Sequence, residues 1–390
     1  MDKVRLGVDV FLARAYREYE GARIGLLTNQ CGQTSDLQPT VDAFWQHEGI
    51  NLVALFGPEH GVRGDLQAGA PVEDATDPET GLPVYSLYGP ARKPTPQMLQ
   101  QIDVLVFDIP DGGVRFLTYS STLSLAMEAA AEAGVKVVVL DRPNPIRGDR
   151  VEGNVLDPAF SSFVGRFPLA LRHGMTMGEL ARYFNEEFGI GCDLDVIPME
   201  GWYRDRWLDE TGSPWVMIGP NIPTLDAMTI YPGTCLIEGT NVSEGRGTTL
   251  SFQVIGAPWI DARALWSAMR ELGLPGVTFR QAHFIPTFHK YVGEPCHGIQ
   301  VYVTDRDLFR PVDLGLHLVA TIRRLYPDQF AWRGSDPPLH FDRLMGTDTV
   351  RRQIDAGVEV EAILKSFEEP LKAFLPVREK YLLYPAAGGA

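Results

Sequence analysis

A carboxylate, an imidazole and a guanidinium (Glu59, His60 and Arg63) crowd into FGPEHGVRG (56–64), directly after the apolar run NLVALF (51–56). Side chains of these types can exchange protons with a substrate or hold a metal. Gly57 and Gly61 admit close backbone approach. Their unremarkable alternative is a Glu that caps a turn beside a His that satisfies backbone groups. DVLVFDIPDGGVRF (103–116) supplies Asp108, Asp111 and Arg115. These either staple their own loop, or Asp108 faces a ligand while the Arg115 fork grips a carboxylate or hydroxyls. IGLLTNQ (24–30) ends on Asn29, and VKVVVLDRPNP (135–145) ends on Asp141 and Asn144. In the second half, EGTNVSEGRGT (238–248) packs Glu238, Asn241, Glu244 and Arg246 among glycines. IGPNIPT (218–224) holds Asn221 between prolines, and His173 sits in Arg172-His173-Gly174.

Such groups converge only if regular elements bring them to one edge. Residues 4–145 alternate near-continuous apolar runs with helical patterns, the signature of strands buried on both faces of a mostly parallel, Rossmann-like α/β sheet. In such a sheet, ligands bind beyond the carboxyl ends of the strands. That places Asn29, Glu59, His60, Asp108, Asp111, Arg115, Asp141 and Asn144 on one rim. Residues 57–96 read as a long functional loop. The Pro- and Gly-containing stretch 142–154 reads as a linker, giving a domain 1–155 and an α+β domain 156–390 packed on it. Helices are expected over 175–189, 261–273 and 312–327.

At 390 residues, two domains are the default. The composition, 45% hydrophobic and 22% charged, is that of a globular protein. A net charge of −15 argues against nucleic acid and anionic membrane surfaces as partners. Cys31, Cys192, Cys235 and Cys296 are scattered, without metal or redox spacing, which suits a reducing compartment. Neither a secretion signal nor a long apolar span is evident, so the sequence predicts a cytoplasmic protein unless a leader has been removed. A dinucleotide fingerprint, a phosphate loop and a nucleophile elbow are all lacking. His283, His289 and His297 lack metal-ligand spacing. Trp202, Trp207 and Trp215 read either as core or as an aromatic platform for a sugar.

With FGPEHGVRG, GLPVYSLYG, DRPNP, HGMTMGELA, EGTNVSEGRGT and FDRLMGTDTVRRQIDAG in this order, the chain resembles the NamZ-type exo-β-N-acetylmuramidases, glycoside hydrolase family 171, over residues 5–385. The resemblance implies a Rossmann-like domain, a smaller C-terminal domain and an intervening cleft. It also implies release of terminal N-acetylmuramic acid from the non-reducing end of peptidoglycan fragments, with Glu59 as the leading catalytic residue. Two stretches depart from the family pattern: DIPDGGVRFLTY (108–119) carries Pro110 and Leu117 where Gln and an aromatic are common, and Ser251-Phe252-Gln253 replaces Pro-Phe-Glu.

Glycoside hydrolysis needs an acid for the leaving oxygen and a second group for the oxocarbenium-like centre. On this reading Glu59 is the acid/base, His60 orients it or hydrogen-bonds the sugar, and Glu244 ranks ahead of Asp108 or Asp111 for the second role. Attack by the substrate's own acetamido group is the alternative. Arg63, Arg115 and Arg246 are candidates to grip the lactyl carboxylate. Asn29, Tyr119, Asn144, His173, Asn221 and Asn241 complete the expected saccharide contacts. The reading calls for no cofactor and no metal, and its partner is a small saccharide, a muropeptide fragment. A non-catalytic amino-sugar binder and another hydrolase of wall-derived amino sugars are the rival classes.

Overall fold

The computed structural model describes residues 3–64, 73–89 and 91–386. The strands in chain order are β1 (Arg23–Thr28), β2 (Asn51–Gly57), β3 (Ala75–Thr76), β4 (Pro83–Ser86), β5 (Val104–Asp108), β6 (Lys136–Leu140), β7 (Glu152–Val155), β8 (Ala170–Arg172), β9 (Leu194–Ile197), β10 (Val254–Ala257), β11 (Val277–Phe284) and β12 (Cys296–Val303). Seven of them form one sheet in the order β3-β4-β2-β1-β5-β6-β9. Every pairing in it is parallel except β3 with β4. Chain order reverses between β1 and β5, the switch point of a doubly wound sheet.

Side chains alternate across this sheet as a period of two demands. Val104 and Val106 of β5 join the core under the helices Gly7–Ala13 and Thr40–Gln46, while Leu105 and Phe107 join the core on the opposite face. That second core runs on through the helices Tyr119–Ala133 and Met177–Glu187 to Ile255, Ile299 and Val301. These last residues belong to the antiparallel sheet β10-β12-β11.

Three sequence expectations change. The sheet continues past residue 155 because β9 pairs with β6. The helix feeding β9 starts cleanly: the Thr176 hydroxyl accepts from the Glu179 amide, and the Glu179 carboxylate accepts from the Thr176 amide. The stretch 57–96 is not loop throughout, since β4 pairs with β2; residues 65–72 and 90 lie outside the described residues. Its few apolar residues, interrupted by Gly81, Pro83 and Gly89, conceal a short strand. Tyr231-Pro232-Gly233, which reads as a turn, lies within the helix Leu225–Thr234. A β-carbon on Gly233 would stand 1.9 Å from the Pro311 carbonyl of the helix Pro311–Leu325, so this glycine serves helix crossing.

Candidate active site

β2 emerges into Pro58-Glu59-His60 at the edge of a cavity with about 700 Å³ of empty space. Glu59, His60, Tyr88, Thr118, Tyr119, Asn221, Tyr231, Glu238, Arg246 and Phe252 line it. Glu59 is half-buried, and the Thr118 hydroxyl donates to its Oε2 at 2.9 Å. Burial, the Glu59 charge and a hydrogen bond to Glu59 push the Tyr88 phenol up to about 12. Tyr88 therefore stays a donor at neutral pH. His60 is buried with φ 75°, a left-handed conformation uncommon outside glycine. Its imidazole abuts Gly219, where a β-carbon would come within 3.0 Å of Nε2. Strain of this kind persists where surrounding structure over-determines it, commonly at functional sites.

Tyr119 begins the helix Tyr119–Ala133 and donates its hydroxyl to the Ile218 carbonyl at 2.7 Å, fixing the segment that carries Asn221. Asn221 Nδ2 is buried on the cavity wall without a protein acceptor. An amide donor left in this state is suited to a ligand oxygen.

The same cavity is lined by part of a compact charge network. Arg246 Nε donates to Glu238 Oε1 at 3.1 Å and lies 3.2 Å from Glu244 Oε1. The Arg246 guanidinium also covers the Phe252 ring, 5.0 Å from its centroid. Burial pushes the Glu238 carboxyl up, but Arg246 and His340 outweigh it and hold the group down at about 2. Glu244 is completely buried, and its Oε2 accepts from Lys290 Nζ at 3.0 Å. His289 Nδ1 lies 3.2 Å from Oε1. Burial again opposes ionisation, and His289 with Lys290 carries the balance below the usual carboxylate range. Gly245 and Gly247 have φ near 80°, and a side chain on Gly247 would strike the backbone of Thr287 and Phe288. The two loops are thus locked together.

The folded-state pKa of Glu238 lies below its ordinary value of 4.5. Its pairing therefore stabilises the fold fully above pH 4.5, and that contribution drains away as pH falls toward 2. Urea unfolding at stepped pH should show a steeper loss across that window for the wild type than for Glu238→Gln. Parallel curves would remove Glu238 from the acid response.

Several expected site residues lie elsewhere. Glu244 is absent from the cavity wall; Glu238 takes that place. Arg115 is buried and donates to four backbone carbonyls, those of Asn154, Leu169, Leu344 and Met345. Arg63 is clamped by Asp77 at 2.9 Å and Asp42 at 3.0 Å. Asp108 does staple, though to Arg142 at 2.6 Å rather than to Arg115. Asp111 lies 3.1 Å from His173 Nε2 and accepts from the Gly113 amide. Asn144 accepts from the Ile146 amide and donates to the Met175 carbonyl. Asn241 ties down Gln329 and Ala331, while Asn29 Oδ1 accepts from the Cys31 amide. Asp141 is buried, accepts from Thr176, Gly178 and Tyr384, and is pushed up to about 6 mainly by that burial. Polar groups at the inner strand ends lie beneath other chain segments, and burial obliges them to pair.

Of the sequence candidates, the cavity brings together Glu59, His60, Tyr119, Asn221 and Arg246. It adds Tyr88, Thr118 and Tyr231, which sequence reasoning did not assign, and it gives a role to Glu238. Tyr88 stands in GLPVYSLYG and Thr118 one residue before a helix, but neither has a spacing that marks it. Trp202 and Trp207 are core. Among the described residues, no group of three or more His, Cys, Asp or Glu is placed to hold a metal, and no helix is long and apolar enough to cross a membrane.

The N-terminal family model of the exo-β-N-acetylmuramidase NamZ matches residues 24–226, and its C-terminal counterpart matches residues 229–384. The chain is 50% identical over 382 residues to the peptidoglycan β-N-acetylmuramidase NamZ of Bacillus subtilis (strain 168), covering 98% of this chain and 92% of that one. A crystal structure of a DUF1343 family protein from Bacteroides fragilis superposes with a TM-score of 0.91 at 38% identity, covering 98% of this chain and 99% of that one. A second DUF1343 protein from the same organism superposes at 0.80 with 30% identity, covering 99% of this chain and all of its own. Matched along both halves in sequence and in fold, the chain belongs to the NamZ family of exo-β-N-acetylmuramidases.

Proposed function

We propose that this protein hydrolyses the β-glycosidic bond of a terminal N-acetylmuramic acid at the non-reducing end of peptidoglycan fragments. The observation that carries the reading is Glu59, held by the Thr118 and Tyr88 hydroxyls in a cavity that the Arg246–Glu238 pair also lines. Glu59 gives its proton to the leaving oxygen as the C1–O bond breaks. The sugar's own acetamido oxygen closes on C1, and Glu59 then takes a proton from the water that reopens that ring. Glu238, kept ionised by Arg246, suits a carboxylate that stabilises developing positive charge and not one that donates a proton. Asn221 Nδ2 offers a donor to a substrate oxygen. Arg246, the arginine on the cavity wall among the described residues, grips the lactyl carboxylate. The substrates are muropeptide-derived saccharides. Four buried unpaired cysteines are compatible with action in the reducing cytoplasm during wall recycling.

The test is turnover of a chromogenic β-N-acetylmuramide beside the matching β-N-acetylglucosaminide. Selective release from the muramide is expected, and release from neither by folded protein would overturn the reading. Arg246→Gln should raise KM for the muramide by roughly ten- to a hundredfold and narrow the preference, since a charge-assisted contact is lost. An unchanged preference would take the lactyl group away from Arg246.

A further inference from the structure

Lys290 lies off the cavity wall, on the loop 285–295 that joins β11 to β12. Its neighbours His289 and Tyr291 have φ of 71° and 57°, left-handed values that residues other than glycine seldom adopt. The bend is tied to the Gly-rich loop, since the Thr287 amide and hydroxyl both donate to the Gly247 carbonyl at 2.9 Å. It delivers the Lys290 ammonium to Glu244 Oε2 at 3.0 Å and to the carbonyls of Val242 and Ile237 at 2.7 and 3.2 Å. An ammonium has three donors, and all are spent here.

Among the ion-paired groups, Glu238 and Glu244 stand against Arg246 and Lys290, two negative charges against two positive. His289 and His340 add charge only when protonated. Arg246 touches both carboxylates, whereas Lys290 touches Glu244 alone of the two. Glu244 is completely buried, so solvent and salt screen its charge weakly. Burial pulls the Lys290 ammonium below its ordinary value, and the Glu244 charge opposes that fall. Without Lys290, Arg246 would face two carboxylates by itself, and an arriving anion would meet a cluster with one more unbalanced negative charge.

We propose that Lys290 is a specificity-determining positioning residue: by neutralising Glu244 it leaves the Arg246 charge available to the lactyl carboxylate of muramic acid. This rests on Arg246 as the reader of that carboxylate and adds what keeps the arginine able to read it. Sugars without the lactyl group present no charge to Arg246 and gain nothing from Lys290.

Calorimetric titration with N-acetylmuramic acid tests it, with N-acetylglucosamine as the uncharged contrast. The proteins compared are the wild type, Arg246→Gln, Lys290→Met and the double variant Glu244→Gln/Lys290→Met. Lys290→Met should weaken N-acetylmuramic acid about tenfold and leave N-acetylglucosamine unchanged. The double variant removes one charge of each sign but restores neither carbonyl contact. It should bind N-acetylmuramic acid within about threefold of the wild type, which a purely structural role for Lys290 would forbid. Lys290→Met leaves a buried carboxylate unpaired, so if that variant does not fold, the double variant decides. Wild-type affinity in Lys290→Met, or a double variant as weak as Arg246→Gln, overturns the proposal while Arg246 stays the reader. Full affinity in Arg246→Gln, or no binding by the wild type, removes the reader itself and the proposal with it.

Discussion

Glu59→Gln is expected to lower muramide turnover by roughly a hundred- to ten-thousandfold, the usual contribution of a positioned general acid/base. Gln keeps the shape of Glu and can still accept from Thr118 and Tyr88, so fold and substrate binding should survive. The loss should therefore fall on kcat, with KM little changed. Urea unfolding of the variant, compared with the wild type, checks that the loss is chemical. Near-normal kcat in a folded variant would transfer the acid role to another group on the cavity wall. His60, pressed against Gly219, is the adjacent titratable side chain to examine next.

Arg115→Ala should act in the opposite manner, through stability and not through substrate choice. The Arg115 guanidinium is buried, faces four carbonyls, and is pushed down to about 9 by burial, so it remains charged at neutral pH. Alanine would leave those carbonyls without donors and open a cavity; roughly 3–5 kcal/mol of stability should be lost. Because the carbonyls belong to Asn154, Leu169, Leu344 and Met345, the damage falls on the contact between distant parts of the chain. Urea midpoints measure the stability change. In the folded fraction, the muramide-to-glucosaminide ratio should match the wild type. Full stability with a collapsed ratio would instead make Arg115 the lactyl reader.

Much of the first sheet could be read from sequence, because strands buried on both faces leave long apolar runs. β1, β2, β5 and β6 fall where IGLLTN, NLVALF, DVLVFDI and VKVVVLD predict them. β4 and β9 are short and carry too few apolar residues to stand out. β9 displaced the expected boundary near 155, since membership in a sheet depends on a distant partner, β6.

Of the residues that line the cavity, a strand-end loop marks Glu59 and His60 in sequence, a Gly-rich loop marks Arg246 and flanking prolines mark Asn221, whereas Tyr119 comes only with the family resemblance. Only tertiary structure decided which of the other polar groups line the cavity. Asp108 and Asn144 look equally reactive in sequence, yet each is consumed by partners far along the chain: Arg142 for the first, Met175 for the second. Glu238 and Glu244 lie six residues apart in one motif, yet only Glu238 reaches the cavity, while Glu244 is sealed between Lys290 and His289. Residue type and spacing specify what a side chain can do. Burial and long-range pairing decide whether it is free to do it, and these depend on contacts that no local stretch of sequence contains.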